Sequence, residues 1–147
     1  MKRLFLTMAI VFSLFTLSSF ADDVKVSVPV LKSFKTAFKN ASEVNWSITK
    51  NIYKANFVTN GQYISAYYDT DGKLIALTRN ISSLQLPLSL QSEIRSCYEN
   101  FWFSDLFEVA DEQGTTYYVT LENADSKIIL KSESNSSWTT YQKQRKS

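Results

Sequence analysis

The stretch YYDTDGK, residues 67–73, sets Asp69 and Asp71 one residue apart and just before Gly72. Carboxylates at that spacing can open an EF-hand calcium loop. Such a loop needs oxygen ligands at positions 1, 3 and 5, glycine at 6 and glutamate at 12. Counted from Asp69, glycine arrives at position 4, position 5 is Lys73, position 6 is Leu74 and position 12 is Asn80. The ligand set fails, and Asp71-Gly72 reads instead as the tight end of a β-hairpin. Asp105 with Glu108, and Asp111 with Glu112, could supply the acid and base of a glycosidase-type hydrolysis. Nothing in their spacing puts either pair in a pocket, and carboxylates at strand ends ordinarily form a solvated rim. The chain has no histidine. That removes the commonest general base, the commonest zinc ligand and every Ser-His or Cys-His nucleophile pair. The single cysteine, Cys97, lies within an apolar helical pattern. It is expected as a buried structural thiol, with a reactive thiol as the alternative. No catalytic residue, metal site or cofactor is expected.

These side chains must be positioned by a small exported domain. Lys2 and Arg3 precede an apolar run from Leu4 to Leu17, and Ser19-Phe20-Ala21 offers small residues to a signal peptidase. Residues 1–21 therefore read as a signal peptide, too short in its apolar part for a membrane span. Residues 22–147 remain as one domain, with no membrane span after cleavage. Removing Lys2 and Arg3 from the 16 basic residues leaves 14 against 14 acidic ones. A neutral domain has no broad attraction for nucleic acid or anionic lipid, so no nucleic-acid partner is expected. The basic cluster KQRK, residues 143–146, reads as a solvated terminus. With one cysteine there is no intrachain disulfide, so the apolar core carries the fold alone. A 44% hydrophobic and 14% aromatic composition is enough for that at this size.

The pattern runs twice. Val30, Phe34, Ala37, Phe38 and Ala41 follow helical spacing over residues 28–41, with Pro29 near the start and Lys32, Lys35 and Lys39 on the far side. Four runs with period-two alternation follow, separated by Lys50-Asn51, Asn60-Gly61 and Asp71-Gly72. A second helix opens at Leu86-Pro87, with Leu90, Ile94, Cys97, Tyr98 and Phe101 on its apolar face. Four more strand-like runs follow, turning at Gln113-Gly114, Ala124-Asp125 and Asn135-Ser136. All three glycines fall at hairpin turns, which leaves none for a phosphate-cradling loop. The turns repeat at an offset of 63–64 residues, whereas Pro29 and Pro87 are 58 apart. About six extra residues are therefore expected between helix and sheet in the second unit, around residues 100–104. The expectation is an α+β fold: two tandem α-β-β-β-β units, about 28–80 and 86–142, forming one antiparallel sheet of about eight strands with two helices on one face.

Several stretches resemble a known family. They are VPxxxxxxxAFxxAxxVxW from Val28 to Trp46, YxAxF from Tyr53 to Phe57, Gly61, AYYDxDGKL from Ala66 to Leu74, Leu86-Pro87, and YYVxL from Tyr117 to Leu121. In order and spacing they resemble the PepSY-like family of periplasmic proteins, whose fold is similar to β-lactamase inhibitory protein. The resemblance covers residues 24–142. It implies tandem αβ4 units sharing one sheet, a periplasmic or secreted setting in a Gram-negative bacterium, and no assigned catalysis. It also implies binding of a protein partner through the open sheet face and its hairpin loops. The second unit departs from the pattern in carrying Asp125 and Ser136 at turns where glycine is commoner.

Alternation sends Tyr63, Ser65, Tyr67, Tyr118 and Thr120 to the face away from the helices. Tyrosines there either serve recognition, as at binding hot spots, or only make stabilising cross-strand pairs. The leading expectation is a non-enzymatic module for a protein or peptide partner. Tyr63, Tyr67 and Tyr118 would act as anchors, with the hairpin tips Asn60-Gly61 and Asp71-Gly72 reaching to the partner. A small-ligand carrier or envelope structural protein is the alternative, and a carboxylate hydrolase is the weaker one. Trp46 is assigned to the core and Trp102 to core or exposed anchor, and Trp138 is ambiguous.

Overall fold

A computed structural model describes residues 24–147; the signal-peptide reading of residues 1–21 lies outside them. Helix α1 (Val28–Ala37) leads into β1 (Ser42–Thr49), β2 (Ile52–Thr59), β3 (Gln62–Tyr68) and β4 (Leu74–Asn80). A 3-10 turn (Ser83–Gln85) precedes α2 (Leu88–Cys97). Then come β5 (Trp102–Asp111), β6 (Gly114–Glu122), β7 (Ser126–Ser132) and β8 (Thr139–Arg145). The strands form one sheet in the order of the chain, every neighbour antiparallel. This is the expected α+β architecture of two αβ4 units.

Both helices cover one face. Val30 and Phe34 of α1 pack on Ala55, Phe57, Ala66 and Tyr68. Leu90 and Ile94 of α2 pack on Leu106, Val119, Leu121, Ile128 and Leu130. Each helix stops at ten residues, short of its apolar pattern. Phe38 and Ala41, and Tyr98 and Phe101, reach the core from the connection that follows. Trp46 packs edge-on to Phe34 at 5.1 Å in the first core, as assigned.

Two expectations are corrected. The helix-to-strand connections are equally long, residues 38–41 and 98–101, so the extra residues are not around 100–104. They lengthen the β5–β6 hairpin. Trp46 pairs with Ala55, whereas its counterpart Leu106 pairs with Val119 across a hairpin four residues longer. Pro87 also caps α2 from outside while Pro29 lies inside α1, which accounts for the rest of the offset. Cys97 is exposed at the last position of α2, and the core contacts expected of it are made by Tyr98 and Phe101.

The long turns dock on the helix starts. In the β3–β4 turn, Asp69 Oδ1 accepts from the backbone N–H groups of Asp71 and Lys73, each at 2.9 Å. Gly72 there has φ +83°, and a Cβ placed on it would lie 2.6 Å from Pro29 O. In the second unit Ser89 Oγ donates to Asn135 O at 2.7 Å, and Trp138 Nε1 donates to Leu90 O at 3.0 Å. Trp138 is thus a core residue, clamped to α2.

Candidate interaction face

The face away from the helices is built by alternate residues of the strands. Tyr67, Ala76, Phe107, Val109 and Tyr118 form a cluster there, flanked by Ile52, Ile75, Ile129 and Tyr141. No helix residue enters this cluster. It joins β3 and β4 of the first unit to β5 and β6 of the second, so it spans the seam between them. Phe107 stacks on Tyr118 at 5.2 Å, and Tyr118 meets Tyr141 edge-on at 5.7 Å.

Lysine stems close over these rings. Lys54 Nζ lies 5.6 Å from the Tyr67 centroid, and Lys131 Nζ lies 5.9 Å from that of Tyr118. In both cases the pair is directly cross-strand. At the repeat offset Lys54 corresponds to Tyr118 and Tyr67 to Lys131. Each unit therefore carries one Lys–Tyr cation–π pair with the two residues exchanged between strands. Burial lowers the Lys54 pKa from its ordinary value. Burial also pushes Tyr67 up to about 12 and raises Tyr118, the latter against the opposing pull of Lys131.

The expected site residues therefore separate. Tyr67 and Tyr118 do lie on this face, but they are only 1% and 4% exposed. Their rings are floor, not free anchors, because the face is apolar enough to pack upon itself and the lysines cover it. Tyr63 is 74% exposed at the start of β3, opposite Val58. It stands beside the β2–β3 tip, where Asn60 and Gly61 take φ +50° and +74° and nothing lies within 4 Å of a Cβ placed on Gly61. Next along the sheet, Asn80 Nδ2 donates to Asp105 Oδ1 at 3.1 Å. The tip Asp71-Gly72 is at the opposite end of the sheet. Asp71 is exposed, but Gly72 is buried against α1 and cannot reach a partner.

The candidate carboxylate pairs do not converge. Asp105 faces the open side, level with Thr120, while Glu108 lies on the helix side and pairs with Arg79. Asp111 Oδ1 accepts from Gln113 N in the turn, and Glu112 pairs with Lys73 at 2.8 Å. Among the described residues no group of three or more His, Cys, Asp or Glu side chains could hold a metal, and no helix is long and apolar enough to cross a membrane. Of the two readings of Trp102, core or exposed anchor, the structure gives the exposed one, on the open side of the sheet. It is 53% exposed opposite Glu122, with Lys146 Nζ 5.0 Å from its ring. Its pairing with Glu122 at the start of β5 is what sets it on that side, and no local pattern in the sequence carries that register.

No family model matches the chain, and no curated protein matches it. Solved structures do. A BLIP-like protein from Bacteroides fragilis superposes with a TM-score of 0.71 at 18% identity, over 83% of this chain and 87% of that one. A DUF2874 family protein from Bacteroides uniformis gives 0.72 at 15% identity, over 82% and 90%. One from Bacteroides ovatus gives 0.72 at 17% identity, over 82% and 88%. The chain has the fold of BLIP-like and DUF2874 family proteins, as the resemblance to β-lactamase inhibitory protein implied.

Proposed function

We propose that this chain is an exported, non-enzymatic binding module that recognises a protein or peptide partner through the rim of its helix-free sheet face. The observation that carries the reading is the contrast on that face between a sealed aromatic floor and an exposed ring beside an open hairpin. A packed floor holds the strands in fixed register. Tyr63 and the Asn60-Gly61 tip then present contact area at little entropic cost, since a tyrosine has few rotatable bonds and is enriched at hot spots. BLIP-like architecture supports a recognition role by analogy of fold alone. A periplasmic or secreted location fits the leader-like residues 1–21, and inhibition of an enzyme partner is one form the recognition could take.

The test is a pull-down of the mature domain from an envelope fraction, repeated with two variants. Tyr63→Ala is expected to keep its melting temperature, with a stability change within about 0.5 kcal/mol, because the ring is exposed. It is expected to lose the partner. Tyr67→Ala removes a buried ring and is expected to cost about 3–5 kcal/mol. A Tyr63→Ala protein that retains the same partner with undiminished affinity sinks the proposal.

A further inference from the structure

The two edges of the sheet are protected unequally. An edge strand exposes unpaired N–H and C=O groups, and proteins ordinarily blunt it with lysine, proline or a bulge. Strand β8 has a register shift and carries Lys143 and Arg145. Strand β1 has one bulge at its start, where Glu43 takes φ +53°, and then runs in unbroken register from Asn45 to Thr49. That stretch, Asn-Trp-Ser-Ile-Thr, has no charge and no proline. Val44 and Ile48, on its helix side, are 36% and 42% exposed.

Beside this edge runs an open groove of about 410 Å³ between α1 and β1. Phe34, Phe38, Val44 and Trp46 line it, and Lys35 and Lys39 stand along it. Both lysines are exposed, and the ion pairs of the described residues do not use them. Charge is segregated to match. Residues 24–80 hold eight basic and three acidic side chains, and residues 81–147 hold six and nine.

We infer that β1 is a docking edge for an extended, acidic segment of a partner protein, which adds as a ninth strand. Its backbone would pair with Asn45–Thr49, and its helix-side positions, every second residue, would carry both apolar side chains for the α1–β1 groove and carboxylates for Lys35 and Lys39. A second copy of this chain fits poorly. Two β1 edges would bring the same lysines together, and β8 is itself basic. The inference uses a different surface from Tyr63 and does not depend on that reading.

The probe is a synthetic ten-residue peptide with threonine at every second position and valine and glutamate in turn between them, so that valine and glutamate share one face; the same peptide with lysine for glutamate is the control. In amide hydrogen exchange the acidic peptide is expected to protect residues 45–49, and the control is not. Titration by calorimetry is expected to weaken at least about tenfold in Lys35→Glu with Lys39→Glu, and to weaken with added salt, as exposed charges are screened. Lys35 is on the exposed side of α1 and Lys39 is exposed just after it, and unchanged circular dichroism would show the fold kept. Protection at β8 or around Tyr63 instead would overturn the inference. So would equal affinity in the double variant, or sedimentation showing that the chain pairs with itself through β1.

Discussion

Gly61 and Gly72 are the same residue type at neighbouring turns, and their surroundings separate them. Both have positive φ, which costs an L-residue about 1 kcal/mol. Only Gly72 has backbone in the way, with Pro29 O lying 2.6 Å from the place its Cβ would take. Gly61→Ala is therefore expected to lose about 1 kcal/mol, and Gly72→Ala about 2–4 kcal/mol, since a backbone obstacle cannot rotate aside. Urea unfolding of the two variants measures the difference; equal losses would mean that the turn does not need its seat on α1. Asp69 holds the same turn from within. Asp69 spends its carboxylate on the turn's own N–H groups, an arrangement that the Asp-x-Asp-Gly spacing shares with the opening of a calcium loop. The sequence ruled out the loop by its missing ligands, but it could not reveal that Gly72 is buried, because Pro29 is 43 residues away.

The two units solve one problem with different residues at the level of elements. Each must fix its last hairpin to the start of its helix. The first does so by close backbone approach at Gly72, and the second by side chains, Ser89 to Asn135 and Trp138 to Leu90. The absence of glycine at Asn135-Ser136 is thereby explained, since the second unit uses hydrogen bonds where the first uses contact. Trp138→Phe keeps most of the ring and removes the Nε1–H donor, leaving Leu90 O without it. A loss of about 1–2 kcal/mol is expected in thermal unfolding. No measurable loss would place the hold of this hairpin in ring packing alone. Helices, strands and turns were legible in the sequence because their signals are local: 3.6-residue and two-residue periods, and Asn-Gly or Asp-Gly at positive φ. The site was legible in part. Alternation placed Tyr63, Tyr67 and Tyr118 on one face correctly, yet it carries no information on what lies above a ring.

The whole molecule is held together across its seam. The cluster on the helix-free face takes Tyr67 and Ala76 from one unit and Phe107, Val109 and Tyr118 from the other. On the opposite face Arg79 and Glu108 pair between β4 and β5, and the bond to Glu108 holds the Arg79 pKa above its ordinary value. Unfolding is therefore expected to be a single transition. Trp46 and Trp138, one in each helix-side core, can report it separately in single-tryptophan variants. Phe107→Ala is expected to lower both signals together by about 3–5 kcal/mol. Two separated midpoints would show that the units fold independently. The sequence by itself determined the αβ4 repeat, its single antiparallel sheet and the face on which Tyr63, Tyr67 and Tyr118 lie, because periodicity and turn chemistry act over a few residues. Only the tertiary structure decided which tyrosine is free, where the extra residues went and which sheet edge is left bare, because burial depends on contacts between residues far apart in the chain.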